Sequence, residues 1–195
     1  MLRIRHKTDA QAVKSYMRQS DYYLETAGDW IGKGAARLGL TGQARQEDFD
    51  ALCDNLRPDG SPLTAKTVEG RRIGYDFNFN AVKSVGIARE IIGHYDAAAG
   101  QAIEDAHREA VAYAMSYVEP DMRVRVREGG RNEDEITGNM IAMRVTHRTT
   151  RPNEDDHTPD MSLYDHVFVI NASFDKDGQA KAAELGQIKH DAPYI

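Results

Sequence analysis

The chain has 195 residues, of which 41% are hydrophobic and 29% charged, and a formal net charge of −6 at pH 7. This length fits one domain with a real core, and the acidic balance argues against broad, non-specific nucleic-acid affinity. No apolar run approaches the ~20 residues of a membrane helix, and Arg3 and Arg5 interrupt any signal-peptide stretch. The single cysteine, Cys53, suits a reducing compartment, so a cytoplasmic protein without membrane contact is expected.

Apolar spacing and turn residues predict mixed secondary structure along the chain. Strands alternating with helices and hairpin-like turns favour a single α+β domain with an antiparallel sheet. In chain order, the predicted elements are an edge strand over 2–5, a helix over 9–18 capped by Thr8, helical segments over 31–38 and 47–55, a turn at 58–60, a strand that starts at Arg72, a long helix over 97–119, strands over 122–126, 139–147 and 163–172, a turn at 175–178 and a helix over 180–189.

The strand that starts at Arg72 carries the most informative residue. Its apolar and polar residues alternate, and it is followed by a small-residue turn and the pair Lys83-Ser84. Asp76 lies within it, between Tyr75 and Phe77. A carboxylate in an apolar strand is costly unless it has a partner, so Asp76 is a candidate functional residue.

Tyrosines and histidines with suggestive spacing flank this strand. The sequence has Tyr16 and the pair Tyr22-Tyr23 upstream, and three histidines downstream, at positions 147, 157 and 166. A phenol has an unperturbed pKa of ~10 and needs a base or a cation to become a useful nucleophile. Histidines hold metal ions that polarise a phosphate. The combination therefore indicates metal-assisted chemistry with a phenolic nucleophile.

The positive charge is unevenly distributed, which leaves room for a local basic groove. Arg123, Arg125 and Arg127 alternate along one predicted strand and so share a face. Three further arginines, Arg144, Arg148 and Arg151, surround His147. The acidic runs at 133–135 and 154–156 are interpreted as loops.

Four segments, in order, resemble conjugative relaxases of the TrwC/TraI (MobF) type. They run from Asp21 to Gly42, from Gly74 to Val85, from Thr137 to Pro152 and from His166 to Ala172. The resemblance implies a palm-like antiparallel sheet of the HUH-endonuclease kind, with flanking helices. It implies an enzyme that nicks one strand of plasmid-transfer DNA and keeps the 5′ end as a phosphotyrosine.

The resemblance also assigns roles to individual residues. Tyr16 matches the first nucleophile of the family, although Met17 replaces its usual tyrosine neighbour, and Tyr22 and Tyr23 match the second tyrosine pair. Asp76 matches an acid that takes the proton of the tyrosine or orients a histidine. Lys83, Arg148 and Arg151 are the expected contacts to DNA.

The expected metal ligands depart from the family pattern. His147 matches the first ligand, but the expected His-x-His pair is Tyr164-Asp165-His166. Alternation puts Tyr164 on the same strand face as His166, in the place of the missing ligand, and a neutral phenol is a poor ligand for a divalent ion. His157 is one candidate replacement, and Asp165 or Asp160 is another. Weak or absent metal binding is the competing interpretation.

The resemblance thus implies one relaxase-like domain over 1–195 that ends before the family domain and its helicase do. The expected cofactor is Mg²⁺ or Mn²⁺, and the expected partners are single-stranded DNA at a transfer-origin nick site and relaxosome proteins. The main alternative is a degenerate relaxase-like module that binds single-stranded DNA without cleaving it. An unrelated metal-dependent hydrolase is a weaker alternative, because it leaves the tyrosines and the glycine-rich segment unexplained.

Overall fold

The computed structural model describes residues 2–18, 28–128, 131–150, 152, 155 and 157–192. Its strands are β1 (Leu2–Lys7), β2 (Asp29–Ile31), β3 (Gly42–Gln43), β4 (Gly74–Asn80), β5 (Arg123–Glu128), β6 (Arg131–Ile136), β7 (Ala142–Thr149), β8 (Met161–Ile170), β9 (Ser173–Phe174), β10 (Ala180–Lys181) and β11 (Ala183–Glu184). Its helices are α1 (Ala10–Arg18), α2 (Lys33–Arg37), α3 (Gln46–Cys53), α4 (Lys83–Tyr95), α5 (Ala97–Val118) and α6 (Gly186–Asp191), and a 3₁₀ turn at Glu119–Asp121 follows α5.

A six-stranded sheet with the order β1-β4-β8-β7-β2-β3 forms the centre of the fold. Every pairing in it is antiparallel. Smaller sheets of order β11-β5-β6 and β10-β9 lie beside it. The predicted α+β class with an antiparallel sheet and flanking helices is confirmed. No helix in the described part of the chain is long and apolar enough to cross a membrane.

The pleat of β4 separates two faces of the central sheet. On one face, Tyr75, Phe77 and Phe79 pack in a core with Val111 and Met115 of α5. We call this the covered face. Side chains at alternate positions point to the opposite side. There, Phe168 of β8 packs in a second core with residues of α1 and α3, such as Val13 and Phe49. Beyond this second core, the same side of the sheet is exposed to solvent. We call this side the open face.

Helix α4 was not predicted from the sequence. Its two glycines lower the helix propensity of the segment, but Gly86 of this helix and Gly100 of α5 are needed for close packing. A Cβ at Gly86 would lie 2.9 Å from the backbone nitrogen of Leu163 in β8. A Cβ at Gly100 of α5 would lie 2.5 Å from the Cα of Gly93. The glycines thus allow α4 to pack against both β8 and α5.

Further predictions from the sequence were wrong. The acidic run at 133–135 is not a loop but part of β6, where Arg125 of the facing strand β5 lies opposite Asp134. The Nε atom of Arg125 lies 3.5 Å from an Oδ1 of Asp134, so this arginine does not contribute to a free basic groove. The segment 180–189 is not one helix, because β10 pairs with β9 across the correctly predicted turn at 175–178. The cap of α1 is Asp9 rather than Thr8, since Asp9 Oδ1 accepts a bond of 2.9 Å from the Ala12 backbone N–H.

Candidate active site

The register of the central sheet brings predicted site residues together on the open face. In it, Asn78 of β4 lies opposite His166 of β8, and Tyr164 lies opposite His147 of β7. Asp76, two residues before Asn78, is therefore a diagonal neighbour of His166 on the same face. Three strands that are distant in sequence thus contribute to one cluster.

A hydrogen-bonded carboxylate–imidazole pair lies at the centre of this cluster. The Nδ1 atom of His166 lies 2.7 Å from Oδ1 of Asp76, and both residues are buried. A carboxylate only accepts hydrogen bonds, so we assign the proton of the neutral imidazole to Nδ1. The lone pair is then on Nε2, which lies 3.2 Å from the side-chain nitrogen of Asn78. Asp76 therefore fixes both the tautomer and the ring orientation of His166.

His147 lies beside this pair in the neutral form. Its ring is 5.3 Å from that of His166, centroid to centroid, and the two rings meet at 80°. Burial, together with the neighbouring His166, lowers the pKa of His147 to about 4, against the opposing effect of Asp165 and Asp76. At neutral pH the imidazole of His147 is therefore uncharged, which is the form that binds metal ions.

Tyr164 occupies the third position of the cluster, as alternation predicted. Its ring stacks on His147 at 4.8 Å and 29°, and lies 5.5 Å from the ring of His166. A phenol thus stands where an imidazole would complete a three-histidine set. Among the residues whose side chains are described, no three His, Cys, Asp or Glu side chains group closely enough to hold a metal ion.

The proposed replacement ligands do not join this cluster. His157 lies exposed in the connection from β7 to β8, with a positive φ of 55°. Asp165 is fully buried and faces the other side of the sheet. Its Oδ1 atom lies 3.5 Å from Nε2 of His107 there. Asp165 as a ligand was therefore a wrong prediction, because the pleat alternates. Asp160 is exposed and forms an ion pair with Lys83.

The two described cations that were predicted to bind DNA both have acidic partners. Lys83 pairs with Asp160, and the Arg148 Nε atom donates a hydrogen bond of 2.7 Å to Glu104 of α5. Since Glu104 is buried under the covered face, Arg148 points away from the cluster around His166. Arg148 follows His147 by one residue and so lies on the other face of the sheet, and its contact to DNA stays a prediction. Arg151 lies outside the described residues.

The tyrosines predicted as nucleophiles are only partly covered by the structure. Tyr22 and Tyr23 lie outside the described residues, and Tyr16 lies on α1 with its backbone described but not its side chain. Helix α1 does reach the cluster. A cavity of about 340 Å³ is lined by Ala12 and Val13 of this helix and by Asp76.

A cleft of about 450 Å³ opens over the cluster on the open face. One wall carries Tyr164 and His166, and Asp76, Asn78 and Asn80 line the floor. The other wall is formed by the three alternate residues of β1, namely Arg3, Arg5 and Lys7. Sequence analysis missed these three cations, although their period-two spacing in a predicted strand was the signal that places them on one face.

Comparison with known proteins identifies the family. The family model described as TrwC relaxase matches residues 6–195. The chain belongs to the TrwC relaxase family. Two curated relatives, both multifunctional conjugation proteins TraI, come from Escherichia coli and from its strain K12. The first is 33% identical over 172 residues, which is 86% of this chain and 9% of the relative. The second is 31% identical over 179 residues, which is 89% of this chain and 10% of the relative.

Solved structures agree with this assignment. The metal-bound structure of the conjugative relaxase TrwC with oriT DNA superposes with a TM-score of 0.83 at 29% identity, over 100% of this chain and 65% of the other. A copper-bound complex of the same relaxase superposes with a TM-score of 0.80 at 30% identity, with the same coverage. The chain thus spans about a tenth of the curated relatives and 65% of the solved TrwC chain.

In this family member the donor set fits a divalent ion in part. His147 is neutral at pH 7 because its pKa is about 4, and Asp76 holds the Nδ1–H of His166, so Nε2 is the atom that could bind an ion in place of its contact with Asn78. These are the features of two imidazole ligands held by the surrounding protein. The third position offers the phenol of Tyr164, so two of three nitrogen ligands are present.

Proposed function

We propose that this chain is a site- and strand-specific DNA-nicking relaxase domain that acts in conjugative plasmid mobilisation. The observation that carries this proposal is the Asp76–His166 pair of 2.7 Å at the floor of an open cleft, in a chain that the TrwC relaxase family covers over residues 6–195. The solved TrwC relatives are complexes with oriT DNA. Single-stranded DNA at a transfer-origin nick site is accordingly the proposed substrate.

The proposed reaction is a transesterification with Tyr16 as the nucleophile. The phenolic oxygen of Tyr16 attacks the phosphorus of the scissile phosphodiester and loses its proton to a base. The bond between phosphorus and the 3′ oxygen breaks, which gives a 3′-hydroxyl and a 5′-phosphotyrosine. Tyr22 and Tyr23 are the proposed second pair, able to repeat the attack on another strand. The ester energy is kept, so religation needs no nucleotide cofactor.

Asp76 acts in this scheme mainly through His166. Its Oδ1 already accepts the Nδ1 proton of the imidazole at 2.7 Å, which favours orientation of the histidine over direct deprotonation of the tyrosine. His147 and His166 would hold a divalent ion, for which Mg²⁺ or Mn²⁺ is proposed, with His157 as a further candidate ligand from the loop. Such an ion offsets the charge that builds up on the phosphate oxygens.

Further parts of the proposal concern the surroundings of the domain. Residues 1–195 are proposed to form one relaxase domain that acts in the cytoplasm and meets relaxosome proteins at the transfer origin. Lys83, Arg148 and Arg151 remain proposed contacts to DNA. Lys83 could exchange its exposed ion pair with Asp160 for a phosphate, because exposed ion pairs contribute little stability.

One observation favours a second candidate, a module that binds single-stranded DNA without cutting it. Tyr164 takes the third ligand position, and a two-imidazole site holds a divalent ion more weakly than a three-imidazole site. Under this alternative, the cleft still binds the strand, but the phosphate is not activated.

A covalent-adduct assay tests the proposal and separates the two candidates. Single-stranded oligonucleotides that tile the transfer origin of the encoding element are incubated with the protein and Mg²⁺ or Mn²⁺, and the products are separated on a denaturing gel. We expect a protein–DNA adduct that Tyr16→Phe abolishes and that the matched variant Tyr22→Phe retains. Binding of these oligonucleotides without any adduct would instead support the non-cleaving module.

A further inference from the structure

One wall of the cleft is formed by three cations of β1. Arg3, Arg5 and Lys7 alternate along β1 and all line the cleft over Asp76 and His166. The register fixes their positions, because Arg3 lies opposite Asn78, and Arg5 lies opposite Asp76. Directly opposed residues on one face have Cβ atoms about 5 Å apart. Both arginines therefore stand one strand away from the carboxylate–imidazole pair.

The charges of Arg3 and Arg5 are not balanced by acidic groups among the described residues. Lys7 Nζ lies 3.9 Å from an Oδ2 of Asp76. Arg3 and Arg5 are exposed, and neither has an ion-pair partner among the described residues. The arginines of the covered face differ, since Arg144 lies 3.3 Å from Asp29. In a chain with a net charge of −6, the cleft thus contains three cations against the single carboxylate of Asp76.

The geometry suits an extended anionic chain better than a single small anion. Alternate residues of a strand are about 7 Å apart along its axis, which is close to the spacing of successive phosphates in an extended single strand. Guanidinium groups bind phosphate oxygens through two parallel N–H donors.

We propose that Arg3 and Arg5 form a phosphodiester-binding row that holds single-stranded DNA beside the Asp76–His166 pair. This inference rests on the proposed function, and it adds the wall of the cleft that binds the backbone. The row lies across the cleft from Tyr164, on the side where β1 ends the sheet. It supplies positive charge next to the phosphate that does not depend on the two-imidazole site being loaded.

Binding in the absence of metal tests this inference. Fluorescence anisotropy of a labelled single-stranded oligonucleotide is measured in EDTA over a series of salt concentrations, for wild type, Arg3→Gln and Arg5→Gln. Each arginine that neutralises one phosphate contributes about 0.7 to the slope of log K against log salt. We expect each variant to lower the steepness by about that amount and to weaken binding several-fold at low salt, roughly equally for different sequences.

Arg125→Gln is the matched control. It removes the same charge from an exposed arginine of β5 whose guanidinium lies near Asp134 and Glu184, at 3.5 and 3.6 Å, and outside the cleft. Binding losses in Arg3→Gln and Arg5→Gln no larger than in Arg125→Gln would overturn the inference. Unchanged binding in the two variants alongside wild-type adduct formation would refute the row and leave the proposed function standing. If the two variants bound more weakly than wild type but the wild-type protein never formed an adduct, the nicking function alone would be refuted.

Discussion

The two faces of the central sheet use the same residue types for different ends. On the open face, Asp76 and His166 form a hydrogen bond of 2.7 Å at the floor of a cleft. On the covered face, Asp165 lies 3.5 Å from His107 and has no hydrogen bond to its carboxylate oxygens among the described residues. His166 and Asp165 are consecutive in the chain, so one step along β8 separates a candidate catalytic pair from a buried carboxylate that faces His107 and Arg144.

Burial and charge balance, and not residue type, distinguish the stabilising groups of the covered face from the candidate ligand-binding groups of the open face. On the covered face, each cation is matched, as Arg148 and Arg89 both contact the buried Glu104 at 2.7 and 3.2 Å. On the open face, Arg3 and Arg5 have no acidic partner among the described residues and line a cleft. Balanced charges hold α5 to the sheet, whereas unbalanced charges remain available to a ligand.

Asp76→Asn has the largest expected effect and tests the open face directly. The amide cannot hold the Nδ1–H tautomer of His166 as a carboxylate does, so the rate of adduct formation should fall on the order of 10²-fold or more. The melting temperature should stay near that of wild type, because asparagine has nearly the shape of the aspartate that it replaces at the floor of the cleft. Asp165→Asn is the matched change on the covered face. If it reduced the rate of folded protein as strongly as Asp76→Asn, the distinction between the faces would fail.

Glu104→Ala should produce the next largest effect, on stability rather than on nicking. The side chain of Glu104 is 2% exposed and pairs with two arginines. Removal of one side of a buried ionic group leaves uncompensated charge and costs about 3–5 kcal/mol. Urea unfolding measures this loss, and Glu109→Ala, an exposed glutamate of the same helix, should change the free energy of unfolding by less than about 0.5 kcal/mol. Equal losses in both variants would show that the Glu104 network is not a stabilising one.

Much of the fold could be predicted from local sequence, and the reasons for the failures are physical. The long helix was predicted over 97–119 and is α5, Ala97–Val118, because its apolar spacing is strongly periodic. Helix α4 was missed because Gly86 allows close packing against β8, which no local pattern records. Strand β6 was missed because its pairing with β5, in which Arg125 lies opposite Asp134, is not visible in the acidic run itself.

The site was predictable in its residue types but not in its pairings. Asp76 stood out as a carboxylate in an apolar strand, and the shared face of Tyr164 and His166 followed from alternation. The partner of Asp76 depends on the register of β4 with β8, and the cationic wall depends on the register of β1 with β4. Registers between distant strands are set by the whole sheet. Asp165 was misassigned as a metal ligand, because sequence proximity to a histidine does not determine the strand face.

Tyr164→His is the finest test of the comparison, because it alters only the donor set of the open face. A histidine there would lie beside His147 and His166, since the ring centroid of Tyr164 is 4.8 Å from that of His147. We expect affinity for Mn²⁺, measured by isothermal titration calorimetry, to rise on the order of 10- to 100-fold, the range typical when a partner at a metal site is gained or lost. Ser162→His adds the same group two residues earlier on the same strand face and in the same cleft. If both variants bound Mn²⁺ alike, any extra imidazole in the cleft would suffice, and position 164 would have no special place among the ligands. If only Tyr164→His gained affinity, the phenol at 164 would be the specific reason for weak metal binding, and the cations of β1 would be the charge that the open face retains without a metal ion.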